Sequence, residues 1–122
     1  MFHTYYGGQG NDILDGGKGS DTLYGGYGND TYLFGKGYGQ DTVNEERTGS
    51  RSDKVVFGEG ITFEDIELSR DDRDMILGIK GTDDSLRIID QYSNQYARVE
   101  AFEFADGTVK TADDLFNMPL AS

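Results

Sequence analysis

Cysteine and tryptophan are absent, and there is one histidine, His3, and one proline, Pro119. Without cysteine there is neither a disulfide framework nor a thiolate zinc site. A single histidine excludes most imidazole-based metal sites and nucleophile–histidine triads. Basic residues are scarce: 11 Lys and Arg stand against 23 Asp and Glu, for a formal net charge of −12. Such a chain repels phosphate, which excludes nucleic acid held on a basic face, and an anionic membrane repels it too. Long apolar runs are missing as well, and none approaches the ~18 residues of a membrane span. Met1-Phe2-His3-Thr4 has neither the basic segment nor the apolar run of a cleavable leader, so none is expected at this end. Hydrophobic residues make up only 35% of 122 positions, a lean core for one domain. Cations are the small partners this balance favours.

Glycine is what the chain has in excess. Twelve of its 18 glycines fall between Gly7 and Gly39, and they are not scattered. Residues 7–15 read GGQGNDILD, 16–24 GGKGSDTLY and 25–33 GGYGNDTYL. Each matches G-G-x-G-x-D-x-U-x, with a large apolar residue at U: Leu14, Leu23 and Tyr32. After an insertion, Phe34-Gly35, a fourth copy that lacks its first glycine runs KGYGQDTVN over 36–44, with Val43 at U. A degenerate fifth, TGSRSDKVV over 48–56, keeps Gly49, Asp53 and Val55.

Six residues with three glycines cannot hold a helix, and they form a tight turn. The x-U-x remainder is a short strand with U facing inward. Two such units close one coil, so turn n stacks on turn n+2, about 4.8 Å away along the sheet. That spacing puts Asp12 over Asp30, Asp21 over Asp41, and Asp30 over Asp53. Aligned carboxylates at this distance repel unless a cation lies between them. A cage of carboxylates and turn carbonyls suits a hard ion with six to eight oxygen ligands, Ca²⁺ rather than Mg²⁺. A flexible Gly-rich linker would have no reason to place an apolar residue every nine positions.

The repeat resembles the hemolysin-type calcium-binding nonapeptide repeat of the RTX proteins. GQDTVNE (39–45), SDKVVFGEGI (52–61), EDIELSR (64–70), DDSLRI (83–88) and FADGT (104–108) resemble the domain that often follows those repeats. The resemblance implies an all-β fold: a right-handed parallel β-roll with a β-rich C-terminal cap and a short terminal helix. It implies ligands from alternate turns. One site would use Gly7, Gln9, Asp12, Gly26, Gly28 and Asp30. A second would use Gly16, Lys18, Asp21, Gly37, Gly39 and Asp41. A third would use Gly25, Tyr27 and Asp30 with the turn around Asp53. Two well-formed Ca²⁺ sites are expected, with the third poorer.

Residues 5–56 are expected to form the roll and 57–122 the cap, as one continuous unit. Lys54–Phe57, Asp65–Ser69, Asp74–Ile79, Ser85–Ile89 and Val99–Phe104 read as strands. Phe57, Leu68, Ile76, Ile88, Phe102 and Phe104 are the expected core of the cap. Thr111-Ala112-Asp113-Asp114 opens a short helix with a capping box, and Thr62–Asp65 a single turn of the same kind. Asp71, Asp72, Asp74, Asp83 and Asp84 read as solvated turn residues, and His3 as an exposed side chain. No G-x-S-x-G, Walker or H-E-x-x-H motif occurs, so the chain is not expected to be an enzyme. The expected function is that of a C-terminal calcium-binding RTX module of a larger protein exported by type I secretion. It would fold on calcium in the extracellular space and cap the parent chain. The alternative is a carbohydrate-binding or adhesive module, with a groove lined by tyrosines such as Tyr24, Tyr27, Tyr38, Tyr92 and Tyr96.

Overall fold

The computed structural model describes residues 2–7, 10–25, 28–44, 53–72, 74–89 and 99–117, with Phe2 and His3 as backbone only. The repeats supply β1 (Phe2–Tyr6), β2 (Ile13–Asp15), β3 (Ser20–Tyr24), β4 (Thr31–Phe34), β5 (Gln40–Asn44) and β6 (Asp53–Phe57). Odd strands enter one sheet and even strands the other. β3 lies parallel between β1 and β5, and β4 lies parallel between β2 and β6. Leu14 is therefore level with Tyr32, Tyr32 with Val55, and Leu23 with Val43. All five U positions are buried, and only Leu14, on the end strand, shows even 5% exposure.

The later strands join the same two sheets. They are β7 (Ile66–Asp71), β8 (Asp74–Ile79), β9 (Ser85–Ile88), β10 (Val99–Glu103) and β11 (Val109–Thr111). β9 adds parallel to β5, and β8 and β7 follow antiparallel. β10 adds parallel to β6, and β11 closes that sheet antiparallel. The change of direction from parallel to antiparallel uses short hairpins, which parallel pairing does not allow.

The expected cap strands fall on β6 to β10, and Phe57, Leu68, Ile88, Phe102 and Phe104 are buried. Ile76 is not part of the core. It faces outward on β8, where Met75, Leu77 and Ile79 point inward. The run Asp74–Ile79 is so apolar that its two faces look alike. Pairing fixes the phase by setting Leu77 opposite Leu68 and Leu86.

Phe57 joins the two parts of the core. It stacks on Phe104 at 4.8 Å and meets Phe34 edge-on at 6.4 Å. A 3₁₀ turn at Phe63–Asp65 is closed by the Thr62 N–H donating to the Asp65 carboxylate at 2.9 Å. Helix α1 (Ala112–Phe116) opens with the reciprocal pair Thr111 N–H to Asp114 Oδ2 and Asp114 N–H to Thr111 Oγ1. Pro119 lies outside the described residues.

Candidate metal centre

Asp and U stand two residues apart in x-D-x-U-x, so both side chains point to the same face of the strand. The strand that buries Leu23 must bury Asp21 as well. Asp21, Asp30, Asp41 and Asp53 are at most 1% exposed. Four buried carboxylates in a domain this small are costly unless hydrogen-bonded or bound to a cation.

The carboxylates run in ladders along the edges of the sheets. The Asp12 backbone N–H donates to Asp30 Oδ1 at 3.0 Å, and the Asp30 N–H to Asp53 Oδ1 at 2.6 Å. In the other sheet the Asp21 N–H donates to Asp41 Oδ1 at 2.9 Å. Each bond engages one carboxylate oxygen and leaves the other directed elsewhere. Asp12 Oδ2 and Asp41 Oδ2 are buried with no hydrogen-bond partner among the described residues. Burial pushes the Asp41 carboxyl up to about 7. The Asp21 N–H works against that rise, and the charges of Asp21, Asp15 and Asp84 add to it.

Glycines shape the turns in two ways. Position 4 of the first four copies, Gly10, Gly19, Gly28 and Gly39, has a positive φ between 82° and 105°. Position 1 needs space. A Cβ on Gly7 or Gly16 would come within 2.7 Å of the carboxylate of the Asp in its own turn, Asp12 or Asp21. The first glycine thus makes room for the carboxylate five residues on. Turns also meet across the stack. Gly28 lies against the Gly10 carbonyl and Gly39 against the Gly19 carbonyl.

Of the first expected ligand set, Gly7, Asp12, Gly28 and Asp30 belong to neighbouring stacked turns, and Gln9 and Gly26 lie outside the described residues. Of the second, Gly16, Asp21, Gly37, Gly39 and Asp41 are described, and Lys18 is exposed at its turn. The Gly39 carbonyl also accepts the Ser85 N–H at 3.0 Å. Of the third, Gly25, Asp30 and Asp53 are described and Tyr27 is not. The strand after Asp53 stacks as a full repeat although the turn before it is degenerate. Among the described residues no three acidic or histidine side chains gather round one point. A cage here must therefore combine two carboxylates with backbone carbonyls, a donor set that fits a hard, oxygen-seeking cation.

Both ladders end on apolar residues of the later strands, β9 and β10. Asp41 is level with Leu86, and Asp53 with Val99. At the other end His3 is level with Asp21, a register that the repeat pattern does not predict. One carboxylate outside the repeats matters to a turn. Asp84 is not simply solvated, because it accepts the Gly37 N–H at 2.8 Å and the Gly39 N–H at 3.0 Å. Asp71 and Asp74 both pair with Arg87 on the outer face. A groove of about 490 Å³ on that face is lined by Thr22, Gln40, Thr42, Ser85 and Arg87, and contains no tyrosine. Tyr5 and Tyr6 line a smaller recess of about 390 Å³ beside β2, and Tyr38 packs edge-on against Phe34.

Comparison with known proteins agrees with this geometry. Residues 6–43 match the family model of the RTX calcium-binding nonapeptide repeat in four copies. Residues 74–114 match that of the haemolysin-type calcium binding protein related domain. The iron-regulated protein FrpA of Neisseria meningitidis serogroup C is 37% identical over 82 residues. That stretch is 64% of this chain and 7% of the relative, so the chain spans a small fraction of the relative's length. With glycine turns, stacked aspartates and both family models in agreement, residues 6–43 are RTX hemolysin-type calcium-binding repeats and residues 74–114 the haemolysin-type calcium binding protein related domain.

Proposed function

We propose that this chain is a calcium-binding module of a larger secreted protein, which folds when it meets calcium outside the cell and caps the parent chain. The observation that carries this reading is the pair of buried carboxylate ladders, Asp12–Asp30–Asp53 and Asp21–Asp41, set between glycine turns. Asp12 and Asp30, with carbonyls of Gly7, Gln9, Gly26 and Gly28, would hold one ion. Asp21 and Asp41, with carbonyls of Gly16, Lys18, Gly37 and Gly39, would hold another. Asp30 and Asp53, with Gly25 and Tyr27, form a third and poorer set. Calcium bound in such a cage supplies the positive charge that lets neighbouring carboxylates stay ionised and buried.

The rest follows from what the chain does to itself. At a net charge of −12 the calcium-free chain repels itself, and its buried aspartates oppose closure of the roll. An extended chain of this kind suits a narrow export channel. Extracellular calcium modules bind at roughly 10⁻⁴–10⁻³ M, which matches an ion abundant outside cells and scarce within. A site filled at 100 times its Kd adds about 2.7 kcal/mol. Two or three such sites together supply an amount comparable with the whole stability of a small domain.

Residues 5–56 act as the ion-binding roll. Residues 57–122 seal its open end with Leu86 and Val99, and no catalytic role is assigned to either part. The test is a substitution at Asp30, which contributes to two ligand sets. Asp30→Ala should lower calcium affinity and stoichiometry in calorimetry. Unchanged binding would remove the ladder from the account.

A further inference from the structure

We propose that Asp84 is a positioning residue for the Asp21–Asp41 calcium site, acting from the cap on the Gly37–Gly39 turn. The proposal rests on the calcium-binding reading above and names a residue outside the repeats on which that site depends.

The turn has no first glycine, because Lys36 occupies that place. Gly37 and Gly39 both take positive φ, 85° and 82°, and within the turn the Tyr38 N–H donates to the Gly35 carbonyl at 3.2 Å, a long bond that leaves the Gly37 and Gly39 N–H groups to be held from outside. Backbone N–H groups converging in this way form a small anion-binding concavity. The Asp84 carboxylate fills it, one oxygen on each N–H. Asp84 is itself held in place: its N–H donates to Thr82 Oγ1 at 3.1 Å, and the Thr82 hydroxyl donates to the Ile79 carbonyl at 2.9 Å. The next residue completes the clamp, since the Ser85 N–H donates to the Gly39 carbonyl. The turn is thus gripped on both its N–H and its C=O side by two consecutive residues of the cap. With its N–H groups turned towards Asp84, the carbonyls of Gly37 and Gly39 are held in fixed directions. These are the two turn carbonyls assigned to the Asp21–Asp41 site. Ordering them beforehand reduces the conformational cost of binding and so raises affinity.

The test is a calcium titration of the whole chain followed by amide NMR. Gly37, Gly39 and Asp41 report one site, and Gly10 and Asp12 the other. Asp84→Asn is compared with Asp83→Asn, a neighbouring exposed carboxylate with the same change in charge. The account expects Asp84→Asn to weaken calcium binding at the first group by at least about fivefold, the lower end of ordinary coupling between sites. The Gly10 and Asp12 response should stay unchanged, as should Asp83→Asn at both. In the calcium-loaded protein, Gly37 and Gly39 amides should exchange faster with solvent. Thr82→Ala, which loosens Asp84 but keeps its charge, should give a smaller shift in the same direction, and it decides the matter if Asp84→Asn does not fold. Equal affinity for the two groups, or equal losses in Asp84→Asn and Asp83→Asn, would overturn the proposal while leaving calcium binding intact. A wild-type chain that takes up no calcium would overturn both.

Discussion

Asp41 shows what the ladders demand of single residues. Its carboxyl is pushed up to about 7 by burial, so between about pH 4 and 7 the calcium-free fold holds a proton that the unfolded chain has lost. Folding without calcium is therefore favoured on the acid side and disfavoured as pH rises through about 7. The slope is at most about 1.4 kcal/mol per pH unit for one proton. Asp65, Asp106 and Asp114, held low by neighbouring N–H groups, titrate below this window and do not offset it. Calcium needs the ionised form, so its affinity should move the opposite way and rise with pH up to about 7. Calorimetry in buffers of different ionisation enthalpy should record protons released on binding at pH 6 and few at pH 8. Glycine positions give a second residue-scale prediction. Gly28→Ala meets the Gly10 carbonyl at a φ of 98°, whereas Gly107→Ala, at 94°, meets nothing within 4 Å. Both carry left-handed strain of about 1–2 kcal/mol. Urea unfolding in calcium should show the larger loss for Gly28→Ala.

At the scale of the elements, the nonamer made most of the roll legible. Position 6 and position 8 share a face, so one spacing placed the aspartates and the apolar residues together. Asp53 and Val55 sufficed to continue the even-strand sheet, because a strand needs its inward residues more than its preceding turn. Two features were not legible. The phase of β8 was hidden by the apolar character of both its faces, and only pairing with β7 and β9 turns Ile76 outward. The role of Asp84 was hidden because its acceptor oxygens meet a turn 45 to 47 residues earlier, a contact that no local pattern records. The junction between roll and cap gives a prediction at this scale. Phe57 is 1% exposed and touches aromatic rings on both sides. Phe57→Ala should cost about 3–5 kcal/mol, the usual range for a buried phenylalanine. In saturating calcium, urea unfolding followed by both tyrosine fluorescence and circular dichroism should shift together. A shift in one signal alone would mean that the roll and the cap unfold separately.

The whole molecule joins a glycine-rich stack of repeat strands, with its buried aspartates, to later strands that carry most of the surface charge, through two shared sheets. The later strands contribute buried apolar side chains, and the repeat strands contribute the buried carboxylates of Asp21, Asp30, Asp41 and Asp53, which on the proposed reading oppose folding until a cation matches their charge. The central claim is that calcium decides whether the roll closes. The most direct measurement is a calcium titration of the chelator-stripped chain, followed by far-UV circular dichroism, with Mg²⁺ as the control. The account predicts a cooperative gain of β signal with Ca²⁺, little response to Mg²⁺, and a midpoint moved to higher calcium in Asp30→Ala. A full β signal in chelator, unchanged by added calcium, would contradict it.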